Sequence, residues 1–566
     1  MTKRMPNGLT LISLLVLVLL CLFAVYPLLL LVMGSIREGV PSAETAEFSL
    51  RAWKAVLSEP RILAALLNTV LLGLMYTAIS LPISVMISWL IARTDVPAAP
   101  WLEFGFWVSF FLPSLSVVQG WILLLDPSFG LINQGLREML NGASSLGPFN
   151  IYSFGGIIFA HLITTAISAK VMLMTPVFRM VDSSLEEASR ISGDTAFQTV
   201  RRIFLPIVAP TIIVVTVLGI IRSLESFEIE LVLGTPPRVD VYSTLLYRLV
   251  QNDPPDYSVA SALGVAIMLL MAVLVWLQFR AVRKSGYQTV GGKAQSRLLQ
   301  LGRWRWIAFA FVVAVLLLLT VVPLLFMVAG TLMTMYGFFD ISNAWTLMHW
   351  HEVLGDRVFV GSLGNTLKLS LGAACFMMVV GFGMAYVVVR DKSRLATVVD
   401  LLSWVPFSMP GVLFSLAFLW MVLSTPMMSA FYGSTILLIL AVGMTTLTVG
   451  VQVIKSALMQ LSKDLEESSF LSGASLLQTM WRIAIPLTLQ SILVAGLMGF
   501  VTAGRSIGQL ALLTTSDNRP LAILQLEYMV EGRYEAAAVV GTVVVGVTVG
   551  VALISKCVGL KAGVRR

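Results

Sequence analysis

Few side chains in this sequence could do chemistry, and most of them sit as islands between long apolar runs. Two polar islands are copies of one another: Leu185-Glu186-Glu187-Ala188-Ser189-Arg190-Ile191-Ser192-Gly193 and Leu465-Glu466-Glu467-Ser468-Ser469-Phe470-Leu471-Ser472-Gly473. Extended to Pro206 and Pro486, they agree at 11 of 22 positions with a constant shift of 280 residues and no gap. Their spacing reads first as local structure. Ser184 with Glu187, and Asp464 with Glu467, stand at the separation of a capping box, in which each side chain satisfies a free backbone N–H at a helix start. Gly193 and Gly473 are placed to end that short helix, and Pro206 and Pro486 to open the next one.

The remaining polar candidates are scattered. Gly291-Gly292-Lys293-Ala294 lacks the first glycine and the final Ser/Thr of a phosphate-binding loop, so no ATP site is expected. His349 and His351 flank Trp350 beside Glu352 and Asp356. Two histidines two residues apart on a polar loop predict solvation rather than a metal site. His161 lies in an apolar run with Thr164, Thr165, Ser168 and Lys170; polar groups at membrane depth serve helix–helix hydrogen bonds or line a cavity. Arg222, Glu225, Glu228 and Glu230 cluster at the end of another run, and helical spacing predicts Glu225 and Glu228 on neighbouring turns. Arg505 and Gln509 occupy the corresponding place in the second half. Arg222, Glu225, Glu228 and Arg505 are the candidates for an outer mouth or solute path. No catalytic residue, cofactor site or metal site is expected.

The elements that must position these residues are membrane helices. Of 566 residues 57% are hydrophobic and 12% charged, against about 25% charged in soluble domains. A net charge of +8 would point a soluble chain toward nucleic acid; in a membrane protein the placement of the charge matters instead, and no nucleic-acid partner is expected. About 20 apolar residues cross a bilayer. Twelve such runs are present, near 10–33, 62–92, 101–125, 151–178, 207–227, 257–279, 306–333, 360–389, 397–424, 432–456, 487–509 and 534–556. The first is read as a membrane helix rather than a cleaved leader, its apolar stretch being too long for one. The runs at 62–92 and 360–389 are long enough to tilt or to project past the lipid. Cys21, Cys375 and Cys557 lie in or beside apolar runs and read as packing residues.

With the N-terminus placed in the cytoplasm, most Lys and Arg fall in cytoplasmic loops and most Asp and Glu outside. Both polar islands then come out cytoplasmic, as does the C-terminus. The halves repeat beyond the islands: Asn68-Thr69, Arg93 and Pro113 recur as Asn365-Thr366, Arg390 and Pro410 at a shift of 297. The first half therefore carries about 17 extra residues, placed near Asp126–Asn150. Six spans per repeat leave both halves the same way up, related by an axis along the membrane normal. The expected fold is an all-α polytopic membrane protein of about twelve transmembrane helices in two parallel six-helix repeats. The repeats are 1–280 and 305–566, with a cytoplasmic linker at 281–304.

The islands also carry a resemblance. The pattern E-A-A-x3-G-x9-I-x-L-P is similar to the cytoplasmic coupling loop of binding-protein-dependent ABC transporter permeases. It reads here as Glu187-Ala188-Ser189, Gly193, Ile203 and Leu205-Pro206, then as Glu467-Ser468-Ser469, Gly473, Ile483 and Ile485-Pro486. The fused arrangement resembles the iron(III) and thiamine branch of these importers, which has polyamine and aminoethylphosphonate relatives. The resemblance implies the ABC type I importer permease fold and a bacterial inner-membrane location. It implies two partners, an ABC ATPase subunit, as a homodimer, and a periplasmic solute-binding protein. It makes Glu186, Glu187, Ala188, Ser189, Gly193, Glu466, Glu467, Ser468, Ser469 and Gly473 the ATPase-coupling residues. Transport would proceed by alternating access, with ATP hydrolysed in the separate subunit and iron(III) the first expectation for the solute. An ion-coupled secondary transporter is the alternative class; it would need intramembrane carboxylates as relays.

Overall fold

The computed structural model describes residues 7–39, 47–139, 147–284 and 298–557. Their regular structure is helical. That follows from the solvent: in hydrocarbon every backbone polar group must bond within its own segment.

Nine helices of the first half have counterparts in the second. They are α1 (Gly8–Gly34), α2 (Pro60–Arg93), α3 (Ala99–Phe111), α4 (Ser114–Leu125), α5 (Phe154–Arg179), α6 (Ser183–Ile191), α7 (Val200–Leu224), α8 (Tyr242–Gln251) and α9 (Tyr257–Lys284). The second set is α10 (Trp304–Thr331), α11 (Arg357–Arg390), α12 (Arg394–Phe407), α13 (Gly411–Ser424), α14 (Thr435–Gln460), α15 (Lys463–Leu471), α16 (Leu476–Arg505), α17 (Leu521–Val530) and α18 (Tyr534–Cys557). The repeated Asn-Thr pair shows what the internal symmetry preserves. Thr69 accepts the N–H of Tyr242 at the start of α8, and Thr366 that of Leu521 at the start of α17, at 2.9 and 2.7 Å. Asn68 and Asn365 donate to the carbonyls of Asp240 and Asp517 just before those helices.

Among the described residues ten helices are long and apolar enough to cross a membrane as single pieces. The third and ninth runs are not straight spans: α3 and α4 meet at 94°, α12 and α13 at 108°. Pro113 and Pro410 stand at the bends. A proline drives the preceding residue out of the helical region, and Leu112 is extended, at φ −65° and ψ 138°. Each bent pair still carries the chain across once. It enters from the side where α2 ends beside α6, and leaves on the far side where α5 begins.

The repeats exchange their first helices. α1 packs on α12 and α13 of the second repeat, with Ser13 donating to Asp391 at 2.9 Å and Tyr26 bonded to Thr425 at 2.8 Å. α10 packs on α3 and α4 of the first, and Tyr336 just beyond it donates to the carbonyl of Gln119. The extra residues of the first half lie where the repeat offsets place them. The loop between α4 and α5 carries a short helix, Leu131–Met139, where the second half has only Pro426–Ser429.

Pro206 and Pro486 do not open helices. α7 and α16 are already running when they arrive, and a widened π-turn precedes each proline, at Val200–Phe204 and Met480–Ala484. The wider turn accommodates a ring that has no N–H and would clash one turn back. Pro27 and Pro323 follow the same device at Cys21–Val25 and Leu317–Val321. Cys21 and Cys375 are exposed rather than packed, and the side chain of Cys557 lies outside the described residues. So does most of the expected linker. Its last residues are pinned to the end of α2, where Leu299 donates to the Arg93 carbonyl at 2.8 Å and accepts from Asp95 at 3.1 Å.

Candidate functional site: two coupling helices and a far mouth

α6 and α15 are the two polar islands, and each hangs from the end of a long helix. At 34 residues α2 and α11 are about 51 Å long, more than the roughly 30 Å hydrocarbon core, so their last turns stand clear of it. Arg93 and Arg390 occupy those turns. Arg93 donates to Glu186 at 2.8 Å and to the Val181 carbonyl at 2.7 Å. Arg390 donates to Glu466 at 2.9 and 3.0 Å and to the Leu461 carbonyl at 3.2 Å, and Tyr386 adds its hydroxyl to Glu466 at 3.2 Å. The first glutamate of each island is thus turned inward as an anchor, while Glu187 and Glu467 are exposed.

The serines divide in the same way. Ser189 is buried, bonded to Asp194 at 2.8 Å and Thr199 at 3.2 Å, and Ser469 meets Thr479 at 2.9 Å. Ala188 and Ser468 face outward. Ser184 and Asp464 are not at the cap positions expected of them: the helices start before them, at Ser183 and Lys463. Asp182 and Ser462, one position before each helix, accept the N–H groups of Ser184 and Asp464 instead. The glutamates belong to the second turn, out of reach of the helix start. Reciprocal caps do occur one segment later, between Thr195 and Gln198 and between Ser475 and Gln478. Gly193 and Gly473 end the helices at φ +96° and +84°, in the left-handed region where a side chain is strained.

Sequence reading missed two features of the islands. Arg93 and Arg390 were visible only as a repeat marker. Ile191 and Leu471 looked like ordinary apolar residues, yet they are 88% and 90% exposed at the tips of α6 and α15. The second island adds Leu465, Leu477 and Trp481 to its exposed apolar surface.

The four mouth candidates gather at the far end of α7 and α16. Arg222 pairs with Glu225. Glu225 and Glu228 are not on neighbouring turns of one helix, because α7 ends at Leu224 and a new short helix begins at Glu228. Glu228 accepts the Ser114 hydroxyl at 2.7 Å, next to the Pro113 bend. Arg505 donates to the carbonyls of Phe110 at 2.6 Å and Leu112 at 3.4 Å. Glu230 is not at the mouth: it is buried against His161 at 2.7 Å and accepts from Ser226 at 2.6 Å. His161 therefore serves a helix–helix contact. Among the described residues no three His, Cys, Asp or Glu side chains converge as metal ligands.

Comparison with known proteins agrees with this architecture. Residues 55–286 and 377–559, one segment per repeat, match the family described as binding-protein-dependent transport system inner membrane component. The ferric transport system permease protein FbpB of Actinobacillus pleuropneumoniae is 25% identical over 423 residues, 71% of this chain and 58% of that protein. The putative ferric transport system permease protein FbpB 1 of Haemophilus influenzae is 26% identical over 389 residues, 65% of this chain and 58% of that one. This chain thus spans 58% of the length of each of these two relatives. The Fe(3+)-transport system permease protein FbpB 2 of the same organism is 22% identical over 551 residues, 95% of either chain. With both matched segments covering most of the chain, this protein belongs to the binding-protein-dependent transport system inner membrane components and carries their domain twice in one polypeptide.

Proposed function

We propose that this chain is a single-chain transmembrane unit of an ATP-driven importer, with repeats at 1–280 and 305–566 joined by a linker at 281–304. The coupling helices and both termini face the cytoplasm. α6 and α15 dock into the two subunits of an ATPase homodimer, and a periplasmic binding protein delivers the solute at the far mouth. Closure of the ATPase dimer on ATP draws α6 and α15 together and opens that mouth; hydrolysis reverses the motion. The solute is iron(III), in keeping with the ferric transport permeases among its relatives. Thiamine, a polyamine or aminoethylphosphonate would be carried in the same way.

One observation carries this reading. Two symmetry-related short helices each hold a large apolar side chain almost wholly in the open, and each is tied to the bundle by an Arg–Glu pair at the end of a long rigid helix. An exposed apolar tip on a stiff mount suits a surface that transmits force to a partner. The test is to purify the chain with its co-purifying proteins and measure ATPase activity with each candidate solute and its binding protein. Wild type is compared with the Glu187→Ala/Glu467→Ala double variant. An ATPase that co-purifies, is stimulated by one loaded binding protein and loses that stimulation in the variant supports the proposal. Absence of an ATPase, with uptake following an imposed ion gradient, would refute it.

The second reading, an ion-coupled carrier, draws on His161, Glu230 and Lys170 inside the first bundle. Lys170 donates to Ser80 at 2.8 Å and lies 5.7 Å from the Tyr76 ring. Uptake driven by a proton gradient and abolished by Glu230→Gln would favour it.

A further inference from the structure

At the far ends of α7 and α16 two arginines trade sides. Arg505 ends α16 of the second repeat and reaches into the first. It donates to the Phe110 and Leu112 carbonyls, which the bend at Pro113 leaves free, and its guanidinium lies 5.4 Å and 6.0 Å from the Phe110 and Phe111 rings. Arg222, near the end of α7 in the first repeat, lies 4.7 Å over the ring of Phe407 in the second. Phe110 and Phe407 are the same position of the repeat, at the 297-residue shift. Phe111 packs against the buried cluster of Ala374, Phe500 and Val501 in the second repeat. Each bent helix therefore ends beneath a cation from the opposite repeat, and both contacts must break before the halves can part on this side.

Directly behind one of these contacts lies a groove of about 380 Å³ between α12 and α14. It begins at Phe407, the ring that Arg222 covers, and continues past Trp404, Thr448 and Gln452 to Ser456. Asp400, one turn further along α12, pairs with Lys455 at 3.0 Å beside the groove's inner end. At the 280-residue shift the counterparts of Gln452 and Ser456 are Met172 and Pro176, which have no side-chain N–H or O–H. Thr448 is bonded to the Ser403 carbonyl and its counterpart Ser168 to Ser109, each within its own bundle. The groove's lining is mainly apolar, and Gln452 brings it a side-chain amide that Met172 does not offer in the first repeat.

We propose that Arg222 and Arg505 are the gate residues of the far mouth, closed in this structure, and that the α12–α14 groove is the solute's path from that gate to the coupling-helix side. This rests on the transporter reading but not on an ATPase, and its test is independent of both ATP and solute. Cys21, Cys375 and Cys557 are replaced by serine in the full chain, and Gln452→Cys is added. A membrane-impermeant maleimide is then applied to right-side-out and to inverted membrane vesicles. Gln452→Cys is expected to label from the coupling-helix side alone. Arg222→Ala with Arg505→Ala is expected to raise labelling from the far side at least tenfold, with labelling from the near side unchanged. Phe407→Ala, which removes the ring under Arg222 and leaves every charge in place, should raise far-side labelling as well and serves if the double variant does not accumulate in the membrane. Far-side labelling with the arginines intact, or none after Phe407→Ala and the arginine substitutions, overturns the gate. Either result leaves the importer reading standing, since co-purification of the ATPase tests that separately.

Discussion

Arg93 and Glu186 join the end of α2 to the short helix α6 through an ion pair of 2.8 Å, with the arginine side chain only 1% exposed. Arg390 and Glu466 repeat the pair at 2.9 Å in the second half. The link ties α6 and α15 to the longest helices of their repeats rather than leaving them as free loops. A displacement at the surface is then delivered to the bundle through one rigid element.

Removing one member of a buried pair leaves the other charge without a partner, at a cost of about 3–5 kcal/mol. Glu186→Ala and Glu466→Ala are therefore expected to lower the melting temperature of the purified protein clearly. Glu187→Ala and Glu467→Ala, at exposed positions, should change it little. A thermal unfolding series of the four variants checks this, and equal effects across all four would contradict the inward anchor.

Ile191 and Leu471 should act on partner binding and not on folding. Burying a side chain of this size is worth about 1.5–3 kcal/mol, which corresponds to a loss of roughly 10- to 100-fold in affinity when an acid replaces it. Ile191→Asp and Leu471→Asp are expected to weaken ATPase binding on that scale, measured by titration of the purified subunit, with the melting temperature unchanged.

Gly193→Ala and Gly473→Ala test the helix ends. A Cβ at either position would meet nothing within 4 Å, so the cost is conformational alone, about 1–2 kcal/mol for a left-handed backbone. The local consequence is fraying of α6 or α15, which amide exchange of the coupling segment would register. Gly193→Asn should be milder, since asparagine tolerates that region.

Gly120 and Gly135 form a contrasting pair. A Cβ at Gly120 would lie 1.9 Å from the Pro323 carbonyl oxygen, a backbone atom that no rotamer change can move. Gly120→Ala should force α4 and α10 apart and destabilise the exchanged contact by about 1–3 kcal/mol or more. Gly135→Ala, with nothing within 4 Å on the short helix between α4 and α5, should be neutral or slightly stabilising. Melting temperatures of the two variants decide the point.

What the sequence determined by itself rests on signals local to the chain. Apolar runs of membrane length placed the spans, because the bilayer sets one thickness for all of them. The double island and the recurring Asn-Thr, Arg and Pro positions exposed two copies of one bundle, because both copies must satisfy the same backbone groups. Gly193 and Gly473 announced helix ends because only the backbone conformation was at stake. What the tertiary structure decided is where side chains point and which repeat they meet. Glu186 and Glu187 are neighbours with one chemistry, and only the position of Arg93 on a distant helix turns one inward and leaves the other outside. The bends at Pro113 and Pro410 are local, but the cations that cover them come from the opposite repeat. Arg505 meets Phe110 across a separation of 395 residues, and no spacing rule reaches that far.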